Sequence, residues 1–291
     1  MRKRTTWFDV VNNAVMLVVA LLCVFPFLHI LAISLSDGKP VVSGDVLLVP
    51  KDVTLETYKY ILSNPRIGVS TGLFNSFFYT AAGTLIAVTV TYMTAFALSR
   101  KRLPGRRVLM LLFLFTWVFE AGIIPNYIVY NALGLVESRL VMLLPMAINT
   151  FLLIITRSFL DGVPEELEEA ALMDGANDWQ IMWSVFFAIS KPIIATISLF
   201  NAVYIWNQFL IPMIYLQDRS LQPITVVLYN MIIAGGKLGT SLETINVNGT
   251  QLLPQNLQAA AIFLAVVPIL FIYPFAQKYF SKGLMVGAVK G

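Results

Sequence analysis

Six long runs of mainly apolar residues dominate the sequence, and polar segments separate them. A helix needs about 20 apolar residues to cross the roughly 30 Å of hydrocarbon in a membrane. Each run reaches or approaches that length, and within them only Glu120 is a carboxylate. The pattern predicts an all-α membrane protein with one domain over 1–291 and six transmembrane helices, at 14–33, 73–98, 108–130, 140–156, 192–216 and 257–277.

The composition excludes most other classes of protein. Of the 291 residues, 58% are hydrophobic and 12% are charged, whereas soluble domains carry about 25% charged residues. A soluble globular enzyme and a disordered chain are both excluded on this ground. The one histidine, His29, and the one cysteine, Cys23, exclude a His-rich metal site and an internal disulfide.

The distribution of basic residues predicts which way the chain stands in the membrane. Lysine and arginine accumulate in the cytoplasmic segments of membrane proteins. With the N-terminus inside, both termini are cytoplasmic, and this orientation places 13 of the 20 basic residues inside: Arg2, Lys3, Arg4, Arg100, Lys101, Arg102, Arg106, Arg107, Arg157, Lys191, Lys278, Lys282 and Lys290. The alternative for the first run is a cleaved signal peptide, but it exceeds the usual apolar core of about 7–15 residues.

Two long segments lie on the opposite side in this topology. Residues 36–72 contain three prolines and are expected to form an irregular extension. The second long segment, 217–256, includes the apolar stretch 224–233, which is too short to cross and is expected to be interfacial or re-entrant.

The segment between the fourth and fifth runs, 161–190, is acidic and has no basic residue. Pro164 suits the first turn of a helix, and Gly175 can adopt the left-handed conformation that ends one. Asn177 and Gln180 have the spacing of a capping box for a second helix. The sequence therefore predicts two short helices, and two interpretations stay open: a solvated connecting loop, or an element that docks into a groove on another protein.

At these residues the chain resembles a known family. Glu169-Ala170-Ala171 followed by Asp174-Gly175-Ala176 resembles the cytoplasmic EAA loop of ABC-importer permeases, although Ala188 stands where that family usually has a proline. Trp206-Asn207-Gln208-Phe209 and the ending 287–291 also resemble carbohydrate-uptake permeases. The similar branch contains the second membrane subunit of the maltose transporter.

The resemblance implies a permease subunit of an importer in a bacterial cytoplasmic membrane, which is neither an enzyme nor a nucleic-acid-binding protein. It implies four kinds of partner: a second permease, two ATPase subunits that hold ATP and magnesium, a solute-binding protein outside, and lipid. This chain itself is expected to bind no cofactor. The residues implied in coupling to the ATPases are Glu165, Glu168, Glu169, Ala170, Ala171, Asp174, Gly175 and, in the tail 280–291, Val289, Lys290 and Gly291.

Polar residues inside the predicted spans are candidates for a substrate pathway, because polar groups in lipid tend to face a cavity or a partner helix. These are Glu120, Asn149, Asn201, Tyr204, Trp206, Asn207 and Gln208. Spacings of three and four place Asn201, Tyr204 and Gln208 on one expected helix face, suited to stacking on a sugar and bonding its hydroxyls. The alternatives are a position of Glu120 near the membrane surface and hydrogen bonds between helices for the others.

Two other functions remain as alternatives. An ion-coupled transporter acting alone would need an intramembrane charge, for which Glu120 is the only candidate, and would commonly show an internal repeat, which the sequence lacks. A membrane enzyme would need a catalytic constellation, and the sequence has no His-containing triad or glycine-rich phosphate loop. The identity of the sugar stays open.

Overall fold

The computed structural model describes residues 7–233, 244–247 and 249–288, with side chains of the last helix described as far as residue 272. The tail residues Val289, Lys290 and Gly291 lie outside the described residues. The chain separates into two compact units, one of residues up to Ser70 with Val227–Pro268, the other of Thr71–Val226 with Ile269–Gly291.

The first unit combines helices with a small β-hairpin. Its elements are α1 (Trp7–Leu35), α2 (Gly38–Val42), α3 (Glu56–Ser63), the strands β1 (Ile245–Val247) and β2 (Thr250–Leu252), most of α12 (Ile224–Ile232) and the start of α13 (Pro254–Ala288). The strands pair antiparallel, with Ile245 opposite Leu252. Residues 36–72 are thus not wholly irregular, because α2 and α3 lie within them. The buried amide of Asn256 donates to the carbonyls of Ile33 at 2.8 Å and Ser36 at 2.9 Å.

The second unit is helical and holds the segment that resembles the EAA loop. Its elements in chain order are α4 (Val69–Ser99), α5 (Arg106–Val118), α6 (Ile123–Ala132), a 3₁₀ turn (Arg139–Met142), α7 (Thr150–Asp161), α8 (Glu166–Met173), α9 (Asp178–Gln180), a π-helical turn (Ile181–Phe186), α10 (Phe187–Trp206) and α11 (Leu210–Tyr215).

By length and apolar composition, four helices within the described part of the chain could each cross a membrane: Trp7–Leu35, Val69–Ser99, Asp178–Trp206 and Pro254–Ile272. The pair α5 and α6 makes a fifth only as a span bent by 117°. The prediction of six spans therefore stays a prediction.

Three predicted spans have a different local structure from the continuous helix expected. The run 108–130 breaks after α5, where Glu120 is exposed and Gly122 has a φ of +84°. In 140–156 the helix begins only at Thr150, because the Asn149 side chain accepts from Leu152 N at 3.2 Å and caps it there. The run 192–216 ends its helix at Trp206, and α11 follows separately.

A buried apolar cluster packs several helices of the second unit together. Tyr92 and Phe96 of α4, Leu160 of α7, Ala171 of α8 and Phe186 of the π-helical turn all belong to it. The Tyr92 hydroxyl donates to the Met182 carbonyl at 3.0 Å and anchors α4 to that turn. The cluster positions the acidic segment against the end of α4.

Candidate functional site

The turn between α8 and α9 has the conformation that the sequence predicts. Gly175 has a φ of +82°, in the left-handed region that favours glycine. Asn177 and Gln180 form a reciprocal capping box, in which each side-chain oxygen accepts from the other residue's backbone N–H at 2.9 Å. Both local predictions are confirmed.

The second helix is not short, and this corrects the sequence-based expectation. Asp178 begins a helix that continues through the π-helical turn to Trp206, a length of 29 residues. Ala188, which replaces the family's usual proline, lies inside this helix and does not interrupt it. Because the acidic segment runs directly into a candidate span, a displacement of α9 acts on that span without an intervening loop.

One side of the acidic segment faces residues 99–105, the hairpin that connects the helices α4 and α5. Glu168 accepts from Arg100 and lies 3.3 Å from Arg102 Nη2, and Arg102 also pairs with Asp178. Lys101 pairs with Glu165, and this hydrogen bond and the lysine's charge hold the pKa of Glu165 below its ordinary value. Consecutive basic residues of the hairpin therefore each contact the acidic segment.

Arg100 is the most enclosed of these basic residues. Its side chain is only 10% exposed. Its guanidinium carbon lies 4.9 Å from the ring centroid of Phe96 and 4.3 Å from that of Phe186. The Ser99 hydroxyl accepts from Arg100 Nε at 3.1 Å and from Nη2 at 2.9 Å. Aromatic faces and an acceptor thus hold the guanidinium in the orientation that reaches Glu168.

The remaining exposed residues of the acidic segment form what we call its open side, and Glu169 among them also lines a cavity together with the hairpin. The carboxylates of Glu166, Glu169 and Asp174 have no ion-pair or hydrogen-bond partner within the part of the chain that the structure describes. Met173 is 88% exposed. Trp179 is 60% exposed and lines a second cavity, which the hairpin also lines. Apolar and acidic groups are thus presented together, as on a helix that docks into a groove with a basic residue.

The predicted coupling residues therefore divide into two groups. Glu165 and Glu168 contact the hairpin of the same chain, and Ala171 is buried in the core. Glu169, Ala170, Asp174 and Gly175 are exposed. The spacing of Leu167, Ala170 and Ala171 predicts one apolar face of α8, but these residues are not buried together, because Leu167 and Ala170 are exposed.

The structure does not gather the predicted pathway residues into one site. Asn201 is buried and its side chain donates to Ile197 O at 2.9 Å within its own helix, whereas Tyr204 is 48% exposed. Gln208 lies beyond the end of that helix, so the expected common face of Asn201, Tyr204 and Gln208 is wrong. The remaining candidates have these places: Glu120 in the exposed bend, Asn149 at a helix cap, Trp206 buried at 5.0 Å from Phe77 between ring centroids, and Asn207 donating to Val203 O at 2.8 Å.

Sequence reasoning assigned Arg100, Lys101 and Arg102 to membrane orientation alone and missed their contacts with the acidic segment. The available signal was charge complementarity, since the densest basic cluster and the acidic segment are both predicted on the same side of the membrane. An aromatic group was missed as well: Tyr215 lies 5.7 Å from Tyr127 and 5.3 Å from Tyr130 between ring centroids.

Comparison with known proteins gives one consistent result. Residues 66–286 match the family described as "binding-protein-dependent transport system inner membrane component". The chain is 39% identical to the polygalacturonan/rhamnogalacturonan transport system permease protein YtcP of Bacillus subtilis (strain 168), over 98% of each chain. It is 37% identical to the protein LplC of the same organism, over 98% of this chain and 95% of that one.

A solved structure agrees with these relatives. A chain in the crystal structure of a bacterial ABC transporter involved in the import of the acidic polysaccharide alginate superposes with a TM-score of 0.86 and 32% identity, covering 94% of this chain and 96% of that chain. The family match extends over the helices from α4 to α13 and includes the acidic segment. On this evidence the chain belongs to the binding-protein-dependent transport system inner membrane component family, whose members are transporter permease subunits and not enzymes.

Proposed function

We propose that this chain is one of two permease subunits of an ATP-driven oligosaccharide importer in a bacterial cytoplasmic membrane. Its partners are a second permease, two ATPase subunits that bind ATP and magnesium, and a solute-binding protein outside. The open side of α8 and of the following turn is the observation that carries this proposal, because it supplies a place for the ATPase to attach.

The chemistry of that surface fits a groove with a basic residue. Glu169 and Asp174 are exposed carboxylates near the end of α8, and the exposed Leu172 and Met173 lie between them in the chain. Burial of the two apolar side chains favours association, and a cation on the ATPase pairs with Glu169. Gly175 then fixes the direction in which the following helix leaves the groove.

The topology belongs to the same proposal. Six spans with both termini inside place the acidic segment and the hairpin at 99–105 in the cytoplasm, where the ATPases are. The tail 280–291, including Val289, Lys290 and Gly291, contacts the ATPase pair as well. A chain truncated after Phe280 then stimulates ATP hydrolysis less than the full chain, and unchanged stimulation argues against this contact.

For the substrate we propose an acidic oligosaccharide that contains uronic acids. This is supported by the substrates of two similar proteins, which are polygalacturonan/rhamnogalacturonan for the permease YtcP and alginate for the transporter of known structure. The pathway residues stay predictions, and Glu120, Tyr204 and Asn207 are the exposed ones among them. Uptake of labelled oligogalacturonides by cells that carry the system, with a maltose oligosaccharide as the neutral control, tests the substrate class.

Purification from the native host tests the assembly. We expect a second permease and an ATPase to accompany the wild-type chain, and their absence overturns the proposal. Glu169→Gln should weaken recovery of the ATPase. The matched control is Asp52→Asn, which removes one exposed carboxylate at a position far from Glu169 in the sequence. Asparagine tolerates the φ of +49° at this position. Equal recovery of the ATPase with both variants would show that Glu169 does not belong to the docking surface.

A further inference from the structure

We propose that the hairpin at 99–105 clasps the acidic segment, so that the coupling helices, α4 and α5 move as one body during transport, with Arg100 as the positioning residue. This inference rests on the proposed function and assigns the hairpin a part in it. The clasp consists of the pairs Arg100–Glu168, Arg102–Glu168, Arg102–Asp178 and Lys101–Glu165.

Arg100 and Glu168 form the centre of the clasp. Their side chains are 10% and 16% exposed, so water screens this pair far less than it screens an ordinary surface pair. Removal of one partner from such a pair leaves the other charge desolvated and uncompensated. The rings of Phe96 and Phe186 restrict Arg100 to one arrangement, and Phe96 belongs to α4. Glu168 is thereby joined to the end of α4.

Arg102 extends the clasp across the turn at Gly175. It contacts Glu168 on α8 and Asp178 at the start of α9. One guanidinium therefore bridges the two helices that the turn separates, but the side chains of Arg102 and Asp178 are 45% and 66% exposed, so water screens this contact. Lys101 and Glu165 are 72% and 60% exposed, and an exposed pair of this kind contributes little.

The position of the hairpin gives the clasp its mechanical consequence. The hairpin connects the end of α4 at Ser99 with the start of α5 at Arg106. Without the clasp, a force on α8 would reach the spans mainly through α7 on one side and the helix from Asp178 on the other. With it, the same force also acts on α4 and α5, so four helices respond to one docking event.

A distance measurement by double electron–electron resonance tests this movement. Spin labels at Leu167→Cys on α8 and Arg107→Cys on α5, both exposed positions, are placed in a Cys23→Ser background. In the purified complex we expect the same narrow distance distribution without nucleotide and after trapping with ADP and vanadate. A shift of the distance on trapping overturns the proposal, because the helices then move separately.

Substitutions in the clasp provide a second test of the proposal. Arg100→Gln should broaden the distribution of distances between the two labels. The control Lys101→Gln should leave this distribution narrow, because the ion pair of Lys101 with Glu165 is exposed. A narrow distribution with Arg100→Gln overturns the positioning role. If Arg100→Gln prevents folding, the wild-type trapping result decides alone. Loss of the ATPase from the wild-type complex would instead contradict the proposed function, and the comparison of Arg100→Gln with Lys101→Gln on the chain alone in detergent then decides about the clasp.

Discussion

Gly175 holds a backbone conformation that residues with a side chain adopt only at a cost. Its φ is +82°, and a Cβ added there meets no atom within 4 Å. The cost of Gly175→Ala is therefore backbone strain without a steric clash, about 1–2 kcal/mol. A difference of this size reduces the population of the correct turn about 5- to 30-fold. Gly175→Leu has the same strain with a larger side chain.

The predicted result is that Gly175→Ala and Gly175→Leu insert normally but couple poorly. The measurement compares ATP hydrolysis with solute uptake in proteoliposomes that contain the complete complex, so that uptake per ATP is the readout. Gly175→Asn should retain most of the coupling, because asparagine tolerates the left-handed conformation better than other residues with a side chain.

Gly134 provides a matched control for this experiment. Its φ is +68°, and a Cβ added there also meets nothing within 4 Å. Gly134→Ala therefore carries a similar backbone cost at a position away from the acidic segment, and it should leave uptake per ATP unchanged. Normal coupling with Gly175→Leu, or an equal loss with Gly134→Ala, would refute the reasoning that the geometry of this turn transmits the movement.

Three further predictions concern stability and pH. Asn75→Ala should lower the unfolding free energy by about 1–3 kcal/mol, because the buried Asn75 amide donates to the carbonyls of Ser220 at 2.8 Å and Gln222 at 3.1 Å; an unchanged melting temperature in detergent argues against these bonds. Asn177→Ala should cost about 1 kcal/mol by loss of the helix cap, and Asn177→Ser, scored in the same melting assay, should recover most of it. Because the pKa of Glu165 is lowered in the folded chain, its contribution to stability is complete above the ordinary carboxyl pKa of about 4.3 and is lost as the pH falls through the lower folded value. The difference in melting temperature between wild type and Glu165→Gln should therefore be constant from neutral pH to about pH 5 and vanish in stronger acid. A difference that disappears above pH 5 contradicts the pairing with Lys101.

Local features of the acidic segment could be predicted from the sequence because neighbouring residues determine them. Gly175 and the capping box of Asn177 and Gln180 each depend on backbone within a few positions. The same holds for the long apolar helices α1 and α4, whose length and composition suffice to identify them. These features need no knowledge of which distant segments meet.

The contacts of the hairpin could not be predicted in the same way. Arg100 is separated from Glu168 by 68 positions, and Arg102 from Asp178 by 76. Only the packing of α4 against the π-helical turn brings these groups together. The composition of the spans likewise did not reveal where helices end inside an apolar run. One such end is Trp206, beyond which the side chain of Asn207 donates to Val203 O at 2.8 Å.

The central claim is that the open side of α8 docks on an ATPase while the clasped side stays within this chain. Photocrosslinking measures this directly, with benzoylphenylalanine placed at Met173, which is 88% exposed, or at Phe186, which is 1% exposed. The account predicts a crosslink from position 173 to an ATPase subunit in the native complex and none from position 186. No crosslink to an ATPase from position 173, in a complex that contains one, would contradict it.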